Sequence, residues 1–194
     1  MRATPPLFYV IGPSGAGKDT LIAGVRARLR PLHRILFAHR YITRPADAGG
    51  ENHVALEADD FAARAAAGLF ALDWESHGNR YGIGIEIHDW LAGGFAVVVN
   101  GSRGCLATAV DRFPSLAPVM VTAPPDVLAE RLARRGREPA AAIAARLARS
   151  DALNPVSHPA LRVIENSDTV EDGVAALTAV LTETIMDVSR ASAP

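Results

Sequence analysis

Apolar and polar positions along the chain fall into short apolar runs separated by stretches of helical spacing. Five runs have strand length: Leu7 to Ile11 (LFYVI), Arg34 to Ala38 (RILFA), Phe95 to Val99 (FAVVV), Ala117 to Val121 (APVMV) and Leu161 to Glu165 (LRVIE). Near-continuous apolar runs alternating with helical segments mark strands covered on both faces. Helices are predicted from Lys18 to about Arg30, after Asn100, from Pro124 to near Gly136, and from about Thr169 to Ser189. Pro124 and Pro125 suit a helix start and Gly136 its end. Together these predict an α/β fold with a five-stranded, mostly parallel sheet.

Two segments fall outside the alternation. From Arg40 to Tyr81 the chain is polar and turn-rich, with one helical stretch at EADDFAARAAAG, which predicts an insert beside the sheet. From Gly136 to Asn154, GREPAAAIAARLARSDALN predicts a helical lid studded with arginine. A length of 194 residues suits one core. The expected organisation is a single domain over 1–194, with the insert at about 40–81 and the lid at about 136–154.

A formal net charge of −1 gives no general attraction for nucleic acid or an anionic membrane. The single cysteine, Cys105, cannot form an internal disulfide, and no apolar run approaches the roughly 20 residues of a membrane span. A cytoplasmic protein without nucleic-acid or membrane partners is expected, so any anion site must be local.

One such site follows the first run. GPSGAGKDT, Gly12 to Thr20, matches the phosphate-loop pattern G-x-x-x-x-G-K-[ST] everywhere except the last position, between a strand and a helix as the motif requires. Gly12, Gly15 and Gly17 allow backbone N–H groups to point inward, and the helix start adds its positive dipole end. The whole stretch Gly12, Pro13, Ser14, Gly15, Ala16, Gly17, Lys18, Asp19 and Thr20 is the expected ATP site. Lys18 is the only lysine in the chain and would reach the β- and γ-phosphates.

Asp19 stands where a hydroxyl would hold Mg2+, and Asn100 ends a strand where many such proteins carry an acid. Two readings stay open. The carboxylate has moved to Asp19 and serves the metal from there, or it is a first-turn acid stabilised by the helix dipole, worth about 0.3–1 kcal/mol.

A second cluster lies in HRYITRP, GENHVAL, FALDWESHGNRYGIG and VVVNGSRG. Arg40, Arg44, His53, Arg80 and Arg103 supply cations, and Tyr41, Thr43, Tyr81 and Ser102 supply neutral donors. Several cations converging on a phosphate loop point to a second phosphorylated substrate. Taken singly, His53 and Arg80 are equally open to a structural role.

From about Leu7 to Leu181 the chain resembles the guanylate kinase family: TRP followed by GE, then DWESHGNRYG, RLARRGRE, ARLARS and IENSD come in that family's order. It departs from the pattern at the second arginine of TRxPRxGE, where Asp47 lies nearby, at the tyrosine after GE, replaced by His53, and at the YGT hydroxyl, replaced by Ile83. Asp73 keeps an acid where that family would contact guanine. With those departures, GPSGAGKDTL, AHRYITR, GENHVAL, YGIG, VNGSRG and RGRE resemble the ribose 1,5-bisphosphate phosphokinase family of phosphonate utilisation, within the same P-loop kinase group.

That resemblance implies Mg2+-dependent transfer of the ATP γ-phosphoryl group to ribose 1,5-bisphosphate, giving 5-phosphoribosyl 1-diphosphate and ADP. It implies Lys18, Arg135 and Arg146 as catalytic residues, the last matching the family's lid arginine, and it adds Glu51 and Asn100 to the acceptor side. Asn166 would contact adenine or cap the following helix. A homodimer is compatible with it. The competing readings are a guanylate or other nucleoside monophosphate kinase, and a catalytically silent protein-binding domain of the same fold.

Overall fold

The computed structural model describes residues 4–29, 34–46, 51, 53–134 and 156–190. Along the chain come β1 (Leu7–Ile11), α1 (Lys18–Arg28), β2 (Ile35–Phe37), β3 (Arg40–Ile42), β4 (Val54–Ala55), α2 (Ala58–Ala66), β5 (Phe70–Ser76) and β6 (Asn79–Gly84). Then follow α3 (Ile87–Ala92), β7 (Ala96–Asn100), α4 (Leu106–Arg112), β8 (Leu116–Thr122), α5 (Pro125–Arg134), β9 (Arg162–Glu165) and α6 (Val170–Arg190).

Among the described residues the five expected strands form one wholly parallel sheet, in the order β2-β7-β1-β8-β9. β1 lies at its centre and all five of its residues are buried. Phe8 and Val10 pack with Leu21, Ile22 and Val25 of α1 and Leu177 and Leu181 of α6. Leu7, Tyr9 and Ile11 face the other way, toward Leu72, Ile83, Ile87, Leu91 and Ala109. Burial on both faces explains why this strand reads as an unbroken apolar run.

The insert departs from expectation. It is a second sheet, in the order β4-β3-β6-β5, with β3–β6 and β5–β6 antiparallel. β3 and β4 have only three and two residues, too short to show a period. β5 alternates only from Leu72 onward, where Asp73 and Glu75 point away from Leu72 and Trp74, and β6, with glycines at Gly82 and Gly84, shows no alternation. The helix expected after Asn100 is preceded by a tight 3-10 turn at Arg103–Cys105 before α4 begins. The expected lid at 136–154 lies outside the described residues, and Arg135 and Arg146 with it.

Candidate active site

β1 runs directly into the phosphate loop. Gly12, Gly15 and Gly17 have φ of 150°, 90° and 90°, conformations that side chains disfavour. A Cβ on Gly12 would also collide with the Val121 carbonyl of β8, so the backbone passes where only glycine fits. Lys18 opens α1 and folds back over the loop, its Nζ donating to the carbonyls of Gly12 at 2.9 Å and Pro13 at 3.0 Å.

Asn166, at the end of β9, braces this loop. Its Nδ2 donates to the Ala16 carbonyl at 2.8 Å, and its own carbonyl accepts from Arg131 Nη1 at 2.8 Å. The capping role expected of it belongs to Thr169, whose hydroxyl accepts the Asp172 N–H at 3.2 Å at the start of α6. Beside the loop lies a cleft of about 310 Å³ lined by Gly15, Gly17, Thr20, Leu21, Arg131, Arg134, Asn166 and Val170, within the size range of small-molecule sites.

On the other side of the loop the second sheet presents a row of side chains from three neighbouring strands. Trp74 of β5 stacks on Tyr81 of β6, with centroids 5.5 Å apart and planes 4° apart. The Arg40 guanidinium, from β3, lies 5.1 Å from the Tyr81 centroid. Arg40 also grips Glu51, Nε donating to Oε2 at 2.8 Å and Nη2 to Oε1. Arg44 Nη2 is 3.9 Å from Glu51 Oε1, and Arg40 Nη2 is 3.8 Å from Asp19 Oδ1. Asn100 joins the two carboxylates, its Nδ2 donating to Asp19 Oδ1 at 2.6 Å and to Glu51 Oε2 at 3.3 Å.

The structure thus gathers Asp19, Arg40, Arg44, Glu51 and Asn100 where the phosphate loop, the end of β7 and the insert meet. Two arginines and two carboxylates balance in charge, but not every polar atom is satisfied. Among the described residues, Arg44 Nε and Asn100 Oδ1 are buried without a hydrogen-bond partner. Buried orphans of this kind call for an explanation, and a ligand is one.

Several expected site residues stand elsewhere. Strand alternation turns Tyr41 to the opposite face from Arg40 and Tyr81, where its ring meets Phe70 at 5.5 Å and the Arg64 guanidinium at 5.5 Å. Arg80 shares that far side, its guanidinium 4.5 Å from the Phe61 centroid. The Thr43 hydroxyl accepts the Arg80 N–H at 2.8 Å and so prolongs the β3–β6 ladder. His53 is buried, with Nδ1 3.1 Å from the Glu51 carbonyl and Nε2 3.1 Å from the Arg44 carbonyl, so its ring clasps the backbone instead of facing a substrate. Asp73 is exposed on the face opposite Trp74; the buried position beside it is Leu72, paired across the ladder with Ile83.

Two participants were not apparent from the sequence. Trp74 supplies the stacked wall, and Tyr9 holds the loop after β7: its hydroxyl accepts the Ser102 N–H at 3.1 Å and donates to the Ser102 carbonyl at 3.2 Å. Burial pushes the Tyr9 hydroxyl above its ordinary pKa, and the Cys105 thiol likewise. Ser102 and Arg103 follow on that loop, Arg103 starting the 3-10 turn. A polar tip in the middle of an otherwise apolar strand was the available signal for Tyr9.

No family model matches the chain. It is 52% identical over 178 residues to a ribose 1,5-bisphosphate phosphokinase of Desulfomicrobium baculatum, covering 92% of this chain and 95% of that one. It is 56% identical over 175 residues to the enzyme of the same name from Burkholderia pseudomallei, covering 90% and 94%. Among solved structures it resembles a guanylate kinase from Anaplasma phagocytophilum, with a TM-score of 0.67 over 95% of this chain and 88% of that one. Sequence identity there is 17%, so that likeness shows the fold, a guanylate kinase-like P-loop kinase.

Proposed function

The chain belongs to the ribose 1,5-bisphosphate phosphokinase family, and on that premise we propose that it transfers the γ-phosphoryl group of ATP to ribose 1,5-bisphosphate, giving 5-phosphoribosyl 1-diphosphate and ADP. The observation that carries the reading at this site is Arg44. Its Nε is buried without a partner and its Nη2 stands 3.9 Å from Glu51, so the guanidinium is under-satisfied unless an anion joins it. Arg40 beside it and the phosphate loop opposite leave that anion near the γ-phosphate position.

The acceptor wall suits a sugar phosphate better than a base. Leu72 and Ile83 are fully buried apolar residues, and Trp74 lies flat on Tyr81. Neither Leu72 nor Ile83 offers a polar side chain to a ligand on this face, so a nucleobase there would leave polar edges unpaired, at roughly 1–3 kcal/mol for each group.

Chemistry needs little from the protein beyond position and charge. An oxygen of the acceptor's 1-phosphate is already ionised near neutral pH and attacks Pγ; the bond from Pγ to the β–γ bridging oxygen breaks, and ADP leaves with that electron pair. No general base is required. Lys18 would exchange the Gly12 and Pro13 carbonyls for phosphate oxygens as charge redistributes. Glu51 holds Arg40 in its orientation, and Asn166 keeps the loop in shape for the nucleotide.

Magnesium fits the donor set. Asp19 and the unpartnered Asn100 Oδ1 are oxygen donors, and among the described residues no cluster of three or more ligating side chains builds a closed cage. A cation that keeps several waters and takes other ligands from phosphates suits such a partial site. Bound with ATP, it would neutralise charge on the β- and γ-oxygens. We place this ATP-consuming reaction in the cytoplasm; among the described residues no helix is long and apolar enough to cross a membrane.

With Mg-ATP as donor, ribose 1,5-bisphosphate is expected to be the best acceptor, with GMP and AMP roughly a hundredfold lower in kcat/KM, the effect of two unpaired polar groups. A coupled ADP-release assay across the three acceptors decides it, and GMP as the fastest substrate refutes the assignment. Arg44→Ala is expected to raise the acceptor KM about tenfold or more while ATP affinity stays within about twofold, because Arg44 contacts the acceptor side alone. Equal losses for both ligands would show that Arg44 acts through general phosphate attraction.

A further inference from the structure

We propose that Tyr9 is a positioning residue for the acceptor: its hydroxyl fixes residues 100–103, and so sets where Asn100 and Ser102 meet the substrate. This rests on the acceptor reading above. Tyr9 is wholly buried among Leu72, Ile83, Val97 and Val99. Phenylalanine would fill that space with no polar group to satisfy, so the hydroxyl needs a reason for being there.

Its partners supply the reason. Two belong to one residue of the loop, the Ser102 N–H at 3.1 Å and the Ser102 carbonyl at 3.2 Å, and the Cys105 thiol at the end of the 3-10 turn also meets the hydroxyl. The same carbonyl accepts the Cys105 N–H at 3.2 Å, which closes the 3-10 turn. Gly101 lies against the ring itself, where a Cβ would overlap ring carbons Cζ, Cε1 and Cε2, and its N–H donates to the Val10 carbonyl at 2.8 Å. The loop is therefore pressed flat on the ring and tied down at its edge. Burial keeps the hydroxyl neutral, so it can donate and accept at once.

The consequence follows from where β1 leads. Three residues after Tyr9 the same strand opens the phosphate loop at Gly12, and one residue before Gly101 the side chain of Asn100 bonds to Asp19 and Glu51. One rigid strand thus fixes donor and acceptor loops relative to each other. Small displacements of the side chains that hold the acceptor lower its affinity, because hydrogen bonds and ion pairs weaken steeply with distance and angle, while the phosphate loop itself stays in place.

The test uses the full chain with Tyr9→Phe and, separately, Gly101→Ala, which keeps the hydroxyl and pushes the loop off the ring. Kinetics are measured with Mg-ATP and ribose 1,5-bisphosphate, ATP affinity with a fluorescent ATP analogue without acceptor, and folding by thermal melting. Both variants should raise the acceptor KM about tenfold, change kcat by less than about threefold, and bind the analogue as the parent does. An unchanged acceptor KM in folded Tyr9→Phe overturns the proposal. So do equal losses for the analogue and the acceptor, or failure of both variants to fold, since either outcome makes Tyr9 a core residue and no more. A parent protein that does not phosphorylate the sugar bisphosphate refutes the activity itself, which is a separate result.

Discussion

Replacing Lys18 with alanine is expected to lower kcat about a thousandfold while leaving the protein folded. The side chain bonds the rim of its own loop, at the Gly12 and Pro13 carbonyls, and it is absent from both apolar clusters. Two hydrogen bonds to partly exposed carbonyls contribute about 1 kcal/mol each at most, so melting should shift by only a few degrees. Its charge matters when the phosphates rearrange, because no other lysine exists in the chain and the loop is too tight for a planar guanidinium. Lys18→Arg is therefore expected to stay far below parental turnover although charge is retained. Turnover measured beside a melting curve checks both variants, and near-parental rates in a folded Lys18→Ala protein would remove the phosphate-loop assignment.

What the sequence made legible follows from how strongly local chemistry constrains it. β1 and the loop after it were legible because burial on both faces forces a continuous apolar run, and because only glycine tolerates the φ values and close approach at Gly12 and Gly17. The insert was not, since β3 and β4, with three and two residues, carry no period, β5 and β6 carry little or none, and β3 pairs with β6 some forty positions along the chain.

That loss propagated to the candidate site. Tyr41 and Tyr81 look alike as donors in the sequence, yet strand alternation and register put them on opposite faces. His53 and Asn166 were each open to a ligand or a structural role; both ring nitrogens of His53 meet the Arg44 and Glu51 carbonyls, while Asn166 gives its Nδ2 to the Ala16 carbonyl and still lines the cleft beside the loop. A sequence shows that a side chain can form hydrogen bonds and says nothing of which group it has already met. Arg40, Glu51, Asp19 and Asn100 do meet, although the contacts span up to 81 positions along the chain. Convergence of charged and polar residues on one loop was a sound guide where each side chain's partner was not.

The carboxylate of Asp19, in the first turn of α1, lies at that convergence. Asn100 Nδ2 stands 2.6 Å from Asp19 Oδ1, so the strand end and the first turn of α1 share one small volume, and a carboxylate could sit on either side of it. If Asp19 serves magnesium in place of both the loop hydroxyl and the strand-end acid, Asp19→Ala should raise the magnesium needed for half-maximal activity about tenfold or more, while metal-free ATP binds as well or better once the repulsive charge is gone. Moving the carboxylate across the contact, with Asp19→Ser and Asn100→Asp together, should restore part of the lost magnesium response. A charge that merely favours the helix start predicts a different pattern: a stability loss of about 0.3–1 kcal/mol and an unchanged magnesium curve. The Asn100 bond predicts some destabilisation under either account, so melting alone does not discriminate. Activity titrated against magnesium for the parent, Asp19→Ala and the exchanged pair does, because only a carboxylate that acts on the metal shifts the curve when removed and brings it back when returned from the other side.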